Sequence, residues 1–231
     1  MMINFFGWEA RRRVAVLVAA LLTAVALQVL RQTAGNGHAL RFSLLVAALP
    51  AVPFILGAAV AGQRYRPAWL VARPEVPALD VPANPSAVLG AAGYTFVAVH
   101  IVGGMIRYLE AGPELWFTVA VIALVGGQQA ALWRAALGRF GVRLTPAGIT
   151  DRQPYGDLFI PWDALDTAPA AFPRKAHQVA LRLARPDLVR KRGFRGGDRA
   201  LLPAAGVDAQ LLASTINGYA DRTDARIAIG S

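Results

Sequence analysis

Residues 86–106 read SAVLGAAGYTFVAVHIVGGMI, twenty-one positions with one ionisable side chain, His100. A helix needs about 20 mostly apolar residues to cross the roughly 30 Å hydrocarbon core of a bilayer. This stretch meets that requirement. Residues 14–30, 42–62 and 115–133 contain no charged residue at all and read the same way. Four such stretches within residues 1–137 are too many for the buried helices of one soluble core. The sequence therefore predicts an α-helical membrane region of four transmembrane helices over 1–137.

The composition agrees. Of 231 residues, 55% are apolar and 16% charged, against about 25% charged in an ordinary soluble domain. The mean hydropathy is +0.42, which excludes a disordered chain. There is no cysteine, so disulfides, thiolate metal sites and cysteine nucleophiles are excluded.

Arg11, Arg12 and Arg13 precede the first apolar run, as the basic region of a signal peptide would. The run is longer than the usual signal core, and no clear cleavage site follows Leu30, so an uncleaved anchor is expected. Orientation follows from Arg and Lys in short loops. With the N-terminus inside, the inner flanks hold Arg11, Arg12, Arg13, Arg64, Arg66, Arg73, Arg134, Arg139 and Arg143. The outer flanks hold Arg31, Arg41 and Arg107. This predicts a multi-pass protein of the cytoplasmic (inner) membrane with both termini cytoplasmic. Phe5, Phe6, Trp8, Tyr65, Trp69, Tyr108 and Trp116 lie near the expected span ends, where aromatic rings concentrate.

The outer turn between Arg107 and Glu114 is short, with Gly112-Pro113 suited to a helix start. Gly35-Asn36-Gly37 has the opening spacing of a dinucleotide fingerprint, but position 40 is Leu and no strand precedes it, so that reading is discarded. Residues 64–85 contain Pro67, Pro74, Pro77, Pro82 and Pro85 and read as an extended, semi-rigid linker. Ser86 is placed to cap the third span.

His100 is the one ionisable group inside the spans. Intramembrane ionisable groups mark ion paths and proton relays, so His100 carries the alternative of a transport or channel component. Gln28, Gln128 and Gln129 are its candidate partners. Gly90, Gly93, Gly103, Gly104, Gly126 and Gly127 offer small faces for close helix approach, within the chain or in a homo-oligomer.

Beyond residue 139 the pattern changes. Val142 and Leu144 alternate with Arg143 before a Pro146-Ala147-Gly148 turn. Leu158, Ile160 and Trp162 share a face, as do Val179, Leu181 and Leu183. Period-two alternation signals strands with one buried face. A last short strand is expected at 199–202. Leu211, Leu212, Thr215, Ile216 and Tyr219 then form a helical stripe behind Asp208, a good N-cap. These features predict a small α+β domain over 139–220, short antiparallel strands closed by a C-terminal helix, with 221–231 as a tail.

Gly141-Val142 to Gly148-Ile149, then Ile160-Pro161-Trp162-Asp163-Ala164-Leu165, then the helix ending near Tyr219, resemble bacterial membrane-anchored PH-like domain proteins, the actinobacterial versions above all. The resemblance covers about 139–230. It implies a PH-like barrel in which Pro161, Trp162 and Asp163 are structural, with Trp162 entering the core and Pro161 ending a strand. It does not imply an enzyme. Phosphoinositide-binding PH domains use a basic cluster in the first two strands, where this chain has only Arg143 and Arg152.

The basic cluster here is Arg190, Lys191, Arg192 and Arg195 around Phe194, reaching Arg199. It reads as a basic loop for an anionic membrane surface, with Phe194 inserting at the interface. The net charge of +10 follows the positive-inside bias, and no nucleic-acid motif is present, so nucleic acid is not an expected partner. His38, His100 and His177 are scattered, and no hydrolase, metalloprotease or phosphate-loop motif occurs, so no catalytic residue, metal or cofactor is expected. The pair Asp221 and Asp224 reads as solvated. The expected function is non-catalytic: a membrane protein presenting a cytoplasmic module for protein or lipid contact. The alternatives are the transport component and an accessory subunit of a larger membrane complex.

Overall fold

In a computed structural model of the chain, the described residues are 12–33, 39–110, 115–167 and 169–230, with 39–48 described by backbone alone. The expectations placed on Phe5, Phe6, Trp8, Arg11, Gly35-Asn36-Gly37, His38, Gly112-Pro113 and the Arg41 side chain lie outside them. The chain divides into two units. One combines Met1–Arg64 with Pro85–Gly138, the other Tyr65–Asn84 with Arg139–Ser231.

The first unit contains helices α1 (Arg13–Thr33), α2 (Ala39–Arg64), α3 (Ser86–Glu110) and α4 (Leu115–Leu137). Among the described residues, α1, α3 and α4 are long and apolar enough to cross a membrane. Helix α3 is central, and α1, α2 and α4 all pack against it. Half of its apolar window is buried, against 22% for α1 and 11% for α4.

The residues explain that placement. Many inward positions are small: Ala20 and Ala24 on α1, Ala51 on α2, Ala91 and Ala92 on α3, beside Leu17, Val88, Leu89 and Phe96. A side-chain carbon on Gly93 would meet Phe54 Cβ at 3.1 Å and the Ala51 carbonyl at 3.2 Å, so α2 and α3 touch there through a bare backbone. Next to that contact the Phe54 and Phe96 rings stack with centroids 5.8 Å apart. Many other large apolar residues point outward. Val14, Val18, Leu22, Val25 and Val29 form an exposed stripe on α1, and Leu115, Trp116, Phe117, Val119 and Leu124 are exposed on α4. Soluble proteins place such residues inside. A bundle in lipid gains nothing by burying them and packs through small residues.

The second unit has nine strands among the described residues and one closing helix. They are β1 (Val71–Arg73), β2 (Ala78–Asp80), β3 (Gly141–Thr145), β4 (Gly148–Gln153), β5 (Gly156–Pro161), β6 (Ala171–Lys175), β7 (Gln178–Leu181), β8 (Arg190–Gly193), β9 (Leu201–Pro203) and α5 (Ala209–Asp221). The larger sheet runs β1-β2-β3-β4-β5-β8 and the smaller β6-β7-β9. All pairings are antiparallel. Val142, Leu144, Ile149, Leu158 and Ile160 of the larger sheet, Val179, Leu181 and Leu202 of the smaller, and Leu212 and Ile216 of α5 form one core. Asp208 caps α5 as expected, accepting from the backbone N–H groups of Gln210 and Leu211.

Three segments depart from the sequence reading. Residues 65–84 are not a free linker: β1 and β2 form a hairpin, and β2 pairs with β3 through Leu79–Leu144 and Asp80–Arg143. The short strands hid between prolines, because three-residue strands carry too little alternation to register. Residues 221–230, expected to be part of a tail, are not separate from the core. Ile229 is fully buried in the core, and a side-chain carbon on Gly230, at φ +87°, would collide with the Ala78 backbone. Residues 190–193, read as loop, form β8. All four residues are exposed on this edge strand, and charged edge strands resist pairing with other chains.

The β2–β3 pairing has a topological consequence. Residues 65–84 and 139–230 belong to one unit, and β2 and β3 to one sheet, so the chain leaves that unit before α3 and returns to it after α4. Any membrane they cross is crossed an even number of times.

Asp80 holds this junction. Its carboxylate accepts two bonds from Arg143, at 2.6 and 2.9 Å, and one from Arg73 at 3.0 Å. Burial by itself pushes the Asp80 pKa up, but the bonds and charges of Arg143, then of Arg73, outweigh it and hold the carboxyl below its usual value. A depressed folded pKa means that the stabilisation is fully present above the unfolded value, about pH 4, and is lost as pH falls through the folded value. Asp80→Asn is expected to cost about 1.5–3 kcal/mol at neutral pH. Urea midpoints at pH 7 and below pH 3, read by proteolysis of the β2–β3 region, check this. A gap between variant and wild type that persists unchanged in acid refutes it.

Candidate functional site

In the helical unit the polar groups lie on α3 and its neighbours. His100 is buried, with Nδ1 3.0 Å from the Phe96 carbonyl on its own helix and Nε2 without a partner. None of the three glutamines expected beside it is bonded to it. The Tyr94 hydroxyl donates to Gln128 at 2.9 Å, and Gln129 donates to Thr95 Oγ1 at 3.0 Å, where the Trp133 indole also donates. These bonds tie α3 to α4. Gln28 of α1 fills the notch left by Gly103, so a side-chain carbon there would overlap it. Its carbonyl accepts from Arg31 at 3.3 Å and its amide nitrogen has no partner. Among the described residues Gly104, Gly126 and Gly127 meet nothing within 4 Å, and of the expected small faces Gly93 and Gly103 make the tight contacts.

In the sheet unit Trp162 is 4% exposed. Its indole donates to the Thr145 carbonyl at 2.9 Å, the Tyr219 ring lies 6.2 Å away, and the Arg226 guanidinium sits 5.5 Å over its face. Arg226 also donates to the carbonyls of Tyr219 and Ala220, satisfying the C-terminus of α5. Pro161 is the last residue of β5. The exposed carboxylate of Asp163 lies 3.9 Å from Arg226. Trp162 thus meets the end of β3, α5 and Arg226, and Asp163 lies near Arg226.

The basic cluster divides. Arg190, Lys191 and Arg192 are exposed on β8, opposite Phe159, Leu158 and Asp157 of β5. Phe194 is 91% exposed. Arg195 is not a surface cation. It is 4% exposed, and its Nε and Nη2 each lie 2.9 Å from Asp151 Oδ2. Its remaining donors reach the carbonyls of Gly197, Asp198 and Leu201. Asp151 occupies an inward position of β4 beside Ile149, and its Oδ1 has no partner. An acid in inward register needs a buried partner. That signal was present in the alternation Ile149-Thr150-Asp151 and was missed, as was the partner 44 residues on.

Two further consequences concern exposure. Arg143, one of the two basic residues available to a phosphoinositide-type site, is committed to Asp80. Arg152, the other, is exposed in the cross-strand row Arg152–Asp157–Arg192. Asn217 of α5 clamps β6 by bonding both the N–H and the carbonyl of Ala171 at 2.8 Å.

Among the described residues no three His, Asp or Glu side chains gather as a metal site. No protein-family model, no curated protein and no solved structure matches the chain.

Proposed function

We propose that the chain is a four-span integral protein of the cytoplasmic membrane, and that its sheet unit is a PH-like module presented to the cytoplasm for non-catalytic contact with protein or lipid. The observation that carries the reading is the outer face of the helical unit: Val14, Val18, Leu22, Val25 and Val29 of α1 and Leu115, Trp116, Phe117, Val119 and Leu124 of α4 are exposed, while small residues and His100, Thr95 and Gln28 lie inside beside a few large apolar ones. Helix α2, 26 residues long with Pro50 and Pro53 inside it, supplies the fourth span. Prolines are tolerated there because neighbouring groups re-satisfy the backbone. Two antiparallel sheets closed by a C-terminal helix support the PH-like assignment, and the Arg excess on the inner flanks supports the orientation.

The absence of cysteine gives a direct test. Single cysteines replacing Gln32, Glu75, Glu110 and Asp187 are exposed to a membrane-impermeant maleimide in intact cells. Labelling of Gln32→Cys and Glu110→Cys only is the expected result. Labelling of Glu75→Cys or Asp187→Cys from outside overturns the orientation. Release of the protein by alkaline wash overturns the integral-membrane reading.

A further inference from the structure

The end of the larger sheet formed by the β4–β5 turn and the residues after β8 presents two large exposed aromatic side chains. Phe194 is 91% exposed and Tyr155 is 57% exposed. Both are held in place. The Phe194 N–H donates to the Tyr155 carbonyl at 2.8 Å. Gly193 turns the chain at φ +64°, and a side chain on it would collide with that same carbonyl. The residue after Phe194 is the buried Arg195, anchored on Asp151. A large aromatic ring fixed between two anchors and left in solvent costs the protein apolar exposure with no packing return.

Charge surrounds the ring. Arg190, Lys191 and Arg192 run along the edge strand away from it, and Arg152 stands near the same turn. Asp157 between Arg152 and Arg192 is the one acidic side chain in that cross-strand row. Arg195 brings no net charge, since Asp151 neutralises it.

We infer that Phe194 and Tyr155, flanked by Arg152, Arg190, Lys191 and Arg192, form a docking tip for an anionic bilayer surface. The Tyr155 ring, with its polar hydroxyl edge, suits headgroup depth, and the wholly apolar Phe194 ring suits the acyl boundary just below it. Each cation held near an anionic leaflet strengthens attachment about fivefold, and attraction dies away within a Debye length. The pairing of an apolar tip with cations behind it matches a lipid surface, which offers hydrocarbon below phosphate. A protein strand added to the β8 edge would use backbone groups and would have no use for the exposed ring. The inference rests on the membrane assignment above and names the partner of the sheet unit.

The test uses the full chain reconstituted in nanodiscs, with an environment-sensitive fluorophore on Gly196→Cys, beside the tip. One set of discs contains phosphatidylcholine alone and the other adds phosphatidylglycerol. The expected result is a blue-shifted probe, quenched by brominated lipid, in the anionic discs only, and reversed by high salt. Replacing Arg190, Lys191 and Arg192 together by Gln lowers the docked-to-free ratio about a hundredfold. Phe194→Ser abolishes quenching while leaving circular dichroism unchanged, since the ring packs on nothing in the fold. Equal quenching in both disc types, no quenching in either, or indifference to both variants overturns the inference. Protein that stays in the discs after alkaline wash but shows a wet probe refutes the tip alone. Protein that is washed out refutes the membrane assignment itself.

Discussion

Arg195→Met is expected to destabilise the sheet unit by about 3–5 kcal/mol, because it strands the Asp151 carboxylate in the core. Asp151 is fully buried with one unbonded oxygen, and without Arg195 it keeps a single side-chain donor, Gln153 Nε2 at 3.2 Å. The double variant Asp151→Leu with Arg195→Met is expected to regain most of the loss, since an apolar pair needs no desolvation. It does not regain everything. Arg195 also bonds the carbonyls of Gly197, Asp198 and Leu201, and the loop loses that anchor. Hydrogen exchange on the full chain in detergent separates the two effects. The single variant speeds exchange across β3, β4 and β5, and the double variant speeds it at 194–201 only. A single variant within about 1 kcal/mol of wild type would show that water reaches Asp151.

The second large effect belongs to Trp162. Trp162→Ala is expected to cost about 3–5 kcal/mol, the usual range for emptying a buried aromatic site. Its consequences reach three elements, because the ring touches Tyr219 of α5, lies under Arg226 and bonds Thr145 at the end of β3. Trp162→Phe keeps most of the volume but leaves the Thr145 carbonyl without its donor, at about 1–3 kcal/mol. Pulse proteolysis with urea ranks the three proteins. The signature is early cleavage of 221–230 in the alanine variant, since Arg226 loses the surface on which it lies. Loss of stability without release of that segment would mean that Arg226 is held by the α5 carbonyls alone.

Much of this was legible in the sequence, for a local reason. Charge-free runs of the right length announced α1, α3 and α4, and the alternation in 141–145 and 156–161 announced β3 and β5. The stripe behind Asp208 announced α5. In each case the signal is the periodicity of a buried face, which a window of ten to twenty residues contains in full. The site was less legible. Arg190, Lys191, Arg192 and Phe194 were singled out and are exposed together, yet Arg195, identical in type and one residue further on, is a core residue. Nothing within the run RKRGFRGG distinguishes it. What distinguishes it is Asp151, which faces it across the folded sheet.

The sequence by itself determined the division into apolar helices and a strand-rich half, the positions of most elements, and the absence of thiol chemistry. Only the tertiary structure decided that residues 65–84 belong to the sheet unit, that 221–230 close its core, and which arginines are surface charges. Arg143 is spent on Asp80, Arg195 on Asp151 and Arg226 on Trp162 and the end of α5. The reason is physical. Periodicity is set by the dihedral repeat of a single element, whereas a charge is buried or exposed according to what another segment, 44 or 63 residues away, places against it.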